Sequence, residues 1–335
     1  MKCKRTVLPL LGTAFEPGRL ADTLNEFEDE ELAEIAQAEA YFFSAQAEAC
    51  VKIVEKYLNS EDVILRMSAD MLYTFANLTL GDAMAAQMAR EDVHICLKKA
   101  LEDEIDLETQ ASCLFALYVI SVLIHIPPEK EVPLLSDYLR YLPEGQRLFA
   151  MNLLAHGAYL NQEYAKGQGM AQTAMMMAEK MYPIPFIYLN CVNAMCQINQ
   201  KDQEGARESV IRAWEIARQD KLLEPFIEHH GLLQGVLEVW VKQREPYVYK
   251  KMMDGVIAFS RGWMKIHNPE MQKAVTDLLT PVEFSIAMLA CRDWTNQEIA
   301  EHMGLSVNTV KHYVSTILEK LQIDKRDKIK EFVNQ

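Results

Sequence analysis

The sequence predicts an all-α protein in two unequal parts, a long solenoid of helical pairs followed by a short helical bundle at the C-terminus. Three observations carry that expectation. From about Glu28 to about Ile266 apolar residues recur at spacings of three and four, and strand-like alternation bounded by turns is absent. The helical stretches fall into pairs of roughly 35–45 residues, the length range of stacked helical repeats. The last 56 residues crowd together two Thr-x-x-Glu capping signatures and a glycine-containing turn.

Taken in order, the expected pairs are Glu31–Phe43 with Ala45–Leu58, Asp62–Leu78 with Asp82–Leu101, and Leu107–His125 with Lys130–Tyr141. Then come Gly145–Leu160 with Glu163–Met181, Ile184–Ile198 with Asp202–Arg218, and Leu223–Val241 with Pro246–Ile266. Several second helices place small or compact apolar residues at i, i+4 and i+7, as in Val93, Leu97, Ala100 and in Ala206, Val210, Ala213. Such positions let neighbouring helices approach closely. A solenoid of this kind offers a concave surface to a protein, a peptide or a small molecule. Met175, Met176 and Met177 and the aromatics Trp214, Trp240 and Trp263 are read as core, so no ligand site is placed on them. His229 and His230, next to Glu228, point about 100° apart on a helix and are read as a solvated face, not as metal ligands.

Composition narrows the function. Half of the 335 residues are hydrophobic and 24% are charged, with 13 Gly and 12 Pro, which excludes collagen-like, disordered and low-complexity chains. Lys and Arg total 34 against 48 Asp and Glu, a net charge of −14. A protein that coats nucleic acid or anionic membrane by bulk charge is excluded, so any DNA contact must be local and shaped. Seven cysteines without a C-x-x-C pair read as reduced thiols filling core sites in a cytoplasmic protein. The start, Met1 to Arg5 followed by Val7 to Phe15, is interrupted by Pro9 and Gly12 and lacks a cleavage pattern, so no signal peptide is expected. The apolar run Ala111–Ile126 is too short for a bilayer and reads as a buried helix.

The C-terminal stretch carries the motif. Thr280-Pro281-Val282-Glu283 has the form of a capping box with proline at the first helical position, opening a helix to about Cys291. Thr295-Asn296-Gln297-Glu298 opens a second helix, Asn296 to Met303, and Gly304-Leu305-Ser306 supplies the turn. Ser306 caps a third helix running to about Leu321. Val307, Val310, Val314, Ile317 and Leu321 form its apolar stripe, and Asn308, Lys311, His312, Ser315 and Glu319 project from the other side.

This segment resembles the LuxR/GerE-type DNA-binding domain, a four-helix helix-turn-helix unit. The resemblance rests on Leu279-Thr280-Pro281-x-Glu283, Asn296-x-Glu298-Ile299-Ala300, Ser306-x-x-Thr309-Val310-Lys311, and Ile317-x-x-Lys320-Leu321 followed by Arg326. It covers the last sixth of the chain. It implies that Lys311, His312 and Ser315 face the major groove, with Thr309, Asn308 and Ser306 near the phosphates or the groove edge. It also implies a dimerisation helix from Asp327 to Val333, with Ile329, Phe332 and Val333 in the contact. Trp294 replaces the family's usual glycine and Tyr313 stands where histidine is frequent, two departures that bear on which bases are read. Residues 280–335 carry a net charge of −1 and the rest −13, so tight binding requires pairing over two half-sites.

The front part is similar to tetratricopeptide repeats in the run Asn199–Gln219, and the whole arrangement to the back half of MalT-like regulators. No G-x-x-x-x-G-K-[ST] is present, so the ATP-binding module of that class is not expected. H-E-x-x-H, G-x-S-x-G and a glycine-rich dinucleotide turn are also missing, and the chain is expected not to be an enzyme. The expected organisation is an N-terminal extension (1–27), a helical-repeat sensor or interaction domain (28–267), a linker (268–278) entered at Asn268-Pro269, and the DNA-binding domain (279–335). The leading expectation is a cytoplasmic, sequence-specific transcription regulator whose repeats sense a ligand or protein signal and gate a dimeric helix-turn-helix. Its partners would be a double-stranded DNA operator, RNA polymerase, a second copy and an inducer or protein on the repeats, with no cofactor, metal or membrane. The alternative is an interaction scaffold in which the repeats are the working part and the C-terminal domain is a dimer or polymerase adaptor.

Overall fold

A computed structural model describes residues 5–103, 106–233, 235–267 and 279–330. Among them every regular element is helical. The front body comprises α1 (Leu20–Leu24), α2 (Glu30–Phe43), α3 (Ala47–Val54), α4 (Val63–Leu80), α5 (Ala83–Glu102), α6 (Leu107–Leu123) and α7 (Leu135–Tyr138). It continues with α8 (Glu144–Leu160), α9 (Tyr164–Met177), α10 (Pro183–Asn199), α11 (Gln203–Asp220), α12 (Glu224–Leu233), α13 (Val236–Arg244) and α14 (Pro246–His267). The starts of α2, α4, α5, α6 and α11 share one cause: Asp29, Asp62, Asp82, Asp106 and Asp202 each accept first-turn amides on the side chain.

The pairs α2–α3, α4–α5, α8–α9 and α10–α11 stack as expected. Two differ. The helix expected over Lys130–Tyr141 is reduced to α7 and a 3-10 turn, Leu139–Tyr141, because Pro127, Pro128 and Pro133 withhold amides and favour extended backbone before them. The helix expected over Leu223–Val241 is divided into α12 and α13 by Gly235, whose φ of 90° belongs to the left-handed region.

The stack also closes on itself. In an open solenoid each repeat touches only its neighbours, but α14 crosses back onto α4. Gly262 permits this, since a Cβ there would collide with the carbonyl of Leu78. Residues 5–20, within the expected extension (1–27), run across successive pairs and bury Val7, Leu8, Leu10 and Leu11. The amides of Leu10 and Leu11 donate to the two oxygens of Glu39, both at 2.9 Å, Gln146 donates to the Val7 carbonyl, and Gly18 donates to Asp220 at 2.7 Å. Arg5 ties the caps of α2 and α4 together through Asp29 and Asp62. The helical pairs are therefore covered in part by the chain's own segment.

His229 and His230 are buried, not solvated. His230 pairs with Glu238 at 2.6 Å, which outweighs burial and holds that carboxyl below its usual range. Trp214 is core as expected, but Met176 and Met177 are exposed, their helix face having no covering element among the described residues. The six described cysteines are buried, which pushes Cys96 and Cys291 up to about 11. Among the described residues no helix is long and apolar enough to cross a membrane. The grouping Asp70, Asp92 and Cys96 has metal-compatible atoms, but Arg66 already holds Asp92.

The C-terminal bundle consists of α15 (Pro281–Cys291), α16 (Asn296–Met303), α17 (Val307–Lys320) and a 3-10 turn, Arg326–Ile329. It rests on the repeat body, α15 on α12 and α16 on α13. The Phe284 ring sits over Gly231, where a Cβ would lie 2.6 Å from Cε1, and Met303 covers Gly235. The expected linker, with the Asn268-Pro269 junction, lies outside the described residues.

Candidate nucleic-acid interface

Both capping boxes form. Thr280 Oγ1 accepts the Glu283 amide at 3.3 Å while the Glu283 carboxylate accepts the Thr280 amide at 2.6 Å. Thr295 and Glu298 repeat this at 3.2 and 2.7 Å. Gly304 has a φ of 63° and ends α16 in the left-handed conformation that turns the chain into α17. Ser306 Oγ accepts the Thr309 amide at 3.1 Å and lies 2.8 Å from Thr309 Oγ1. These contacts fix the angle between α16 and α17 through groups local in sequence.

The orientation of α17 is then set by its apolar stripe and one ion pair. Val310, Ile317 and Leu321 are buried, and Val307 and Val314 are half-buried. Lys320, at the end of α17, reaches the start of α15 and bonds both Glu283 oxygens at 2.7 and 2.8 Å. Burial raises the Glu283 carboxyl, but Lys320 and the Thr280 amide prevail and leave it below its usual range.

The opposite side of α17 is open. Asn308, Lys311, His312 and Ser315 are exposed, Ser306 is exposed at the helix start, and Thr309 is half-buried. The Lys311 ammonium has no ion-pair partner among the described residues. All six residues singled out in the sequence therefore lie along one helix and its cap, with Lys311, His312 and Ser315 on its solvent side. An exposed helix with free donors on one face has the dimensions and chemistry for a major groove.

The two departures take different places. Trp294 is buried on the repeat-body side, with the Lys201 ammonium 5.9 Å from its ring and His302 at 5.2 Å, so it is a docking residue and not a base-reading one. Tyr313 is half-buried against the core of the bundle. Ile329 is buried within its own bundle, which corrects the expectation that it lies in a dimer contact; Phe332 and Val333 lie outside the described residues. Arg326 donates to Asn296 Oδ1 at 2.7 Å and to the Trp294 carbonyl, so it braces the bundle internally.

The GerE profile, described as bacterial regulatory proteins of the luxR family, matches residues 277–332. These residues form a LuxR-family helix-turn-helix domain. The response regulator protein VraR of Staphylococcus saprophyticus is 38% identical over 64 residues, 19% of this chain and 31% of the relative. VraR of Staphylococcus aureus is 34% identical over 86 residues, 23% of this chain and 41% of that protein. The chain thus spans less than half the length of the curated relatives it matches. No solved structure matches the chain.

Sequence reasoning missed the surface joining the LuxR-family domain to the repeats. Arg292 Nη2 donates to the Tyr159 hydroxyl, and Lys201 meets Glu298 at 2.6 Å. Both pairs join residues about a hundred or more positions apart, and no local spacing signals such partners.

Proposed function

We propose that the chain is a sequence-specific DNA-binding transcription regulator with its division of labour at residues 28–267 and 279–335. In this reading α17 enters the major groove, Lys311, His312 and Ser315 read base edges, and Ser306, Asn308 and Thr309 hold phosphates or the groove edge. The observation that carries it is the open polar face of α17 on a LuxR-family domain whose other helices rest on the repeat body. The docked body leaves that face uncovered, so regulation acts on the mutual placement of two copies and not by masking the helix. A ligand or protein signal on the repeat body gates this dimer, and RNA polymerase is the partner that reads the outcome. The net charge of −1 over residues 280–335 supports dependence on paired half-sites.

The test is selection of DNA from a random duplex pool by the full-length protein, followed by footprinting on the promoter of its own gene. The expected result is enrichment of two related half-sites about one helical turn apart. Recovery of unenriched DNA at every salt concentration would leave the interaction scaffold as the reading.

A further inference from the structure

Where α15 faces α12 and α14, a cavity of about 830 Å³ remains between the repeat body and the LuxR-family domain. That volume takes a drug-sized organic molecule. Its apolar wall includes Trp263 and Phe259 from α14 and Phe284 and Met288 from α15. Its polar wall carries several atoms that lack partners. Both ring nitrogens of His156, Nε2 of His229, Oε1 of Glu228 and Nη1 of Arg292 are buried with no hydrogen-bond partner among the described residues. His156 and His229 are each 1% exposed. Buried polar atoms without partners are destabilising, so a cluster of them around one hollow points to an occupant.

The charges specify that occupant. Of the charged residues lining the hollow, Lys201 is paired with Glu298, and Asp293 lies 3.3 Å from Lys330. Burial pushes the Glu228 carboxyl up to about 8, towards its neutral form. Arg292 is left as the uncompensated charge, a single cation with a free N–H. Burial lowers both histidines, His229 to about 4, so their rings are neutral. His229 Nδ1 donates to the Pro225 carbonyl at 2.7 Å, which leaves Nε2 as a bare acceptor. One cation, neutral acceptors and donors, and aromatic walls together select an apolar-bodied acid bearing a hydroxyl or amide donor.

We propose that this cavity binds an amphipathic organic monocarboxylic acid, its carboxylate on Arg292, a donor group on His156 or His229, and its apolar body between Trp263 and Phe284. The inference deepens the sensor reading and rests on it for its consequence, because such a ligand touches both bodies at once. A ligand that bridges them favours the docked arrangement by its differential affinity for it.

The probe is a library of hydroxylated aromatic and alicyclic monocarboxylic acids, each paired with its primary amide. It is screened against the full chain by thermal shift and by quenching of tryptophan fluorescence. The expected result is that at least one acid binds, that its amide binds at least about 10-fold more weakly, and that Arg292→Gln weakens the acid by about 10- to 100-fold. Ser260→Phe, which fills the hollow from α14 without removing a polar contact, abolishes binding while leaving the fold intact by circular dichroism. If no acid binds, the hollow holds water only; if the amides, or Arg292→Gln, bind equally well, the carboxylate is not held by Arg292; either result overturns the inference. DNA binding by the same preparations separates the two readings. A chain that binds DNA but no acid retains the regulator reading and loses this site. A chain that binds acid through Arg292 but no DNA keeps the site and loses the regulator.

Discussion

Glu298 carries two structural duties at once: one oxygen accepts the Thr295 amide that begins α16, and the other meets Lys201 of the repeat body at 2.6 Å. Lys201 first, and then the Thr295 donors, hold this carboxyl at about 2. The start of a DNA-domain helix is thereby sensitive to the position of a residue on another body. Lys201→Ala is expected to raise the Glu298 carboxyl pKa towards the ordinary value, read by carbon-detected NMR titration. Amide exchange around Trp294 should quicken, while the unfolding midpoint barely moves, since exposed pairs contribute little.

Lys311→Ala is expected to weaken binding to the selected DNA by about 1–3 kcal/mol, the size of one good base contact. Its helix should persist, because Lys311 is exposed on the polar side of α17. Titration of labelled duplex at fixed salt checks this, with circular dichroism as the control for folding.

Burial pushes the Glu39 carboxyl up to about 8 against the Leu10 and Leu11 amides, so the folded chain keeps a proton that the unfolded chain gives up near 4.5. Stability from this group is complete below that lower value and is lost as the pH rises through 8. Glu228 is displaced in the same direction, also to about 8. His156 and His229 act oppositely, with lowered values that cost stability as the pH falls through about 6.5. The Tm should therefore fall between pH 6.5 and 8.5, and the fall should be shallower in Glu39→Gln. Calorimetry across that range checks both.

Gly262→Ala is expected to destabilise the protein by about 1–3 kcal/mol, because its Cβ would collide with the Leu78 carbonyl where α14 crosses α4. Denaturant unfolding measures this. Gly157→Ala, where a Cβ meets nothing within 4 Å, serves as the neutral comparison.

The elements that the sequence made legible are those written in local code. The boxes at Thr280 and Thr295, the cap at Ser306 and the valine stripe of α17 all depend on groups within four residues of one another. Prolines 127, 128 and 133 were visible, yet helical periodicity around them outweighed their meaning, and the second helix of that pair was expected too long. Closure of the stack was not legible, because nothing near Gly262 announces that Leu78 will lie against it. The hollow beside Arg292 was hidden for the same reason. His156, His229 and Arg292 are scattered over more than a hundred residues, and only packing gathers them.

The segment threaded across the helical pairs has a consequence for synthesis. Val7 waits for Gln146, and Gly18 for Asp220, partners 139 and 202 residues later in the chain. At about 5–20 residues per second a ribosome takes roughly seven to forty seconds to supply them. During that interval Leu10 and Leu11 can already reach Glu39, and Leu8 can reach Ser68, but the segment lacks its later anchors. The nascent chain therefore carries a partly anchored apolar segment, the kind of transiently exposed surface that chaperones bind.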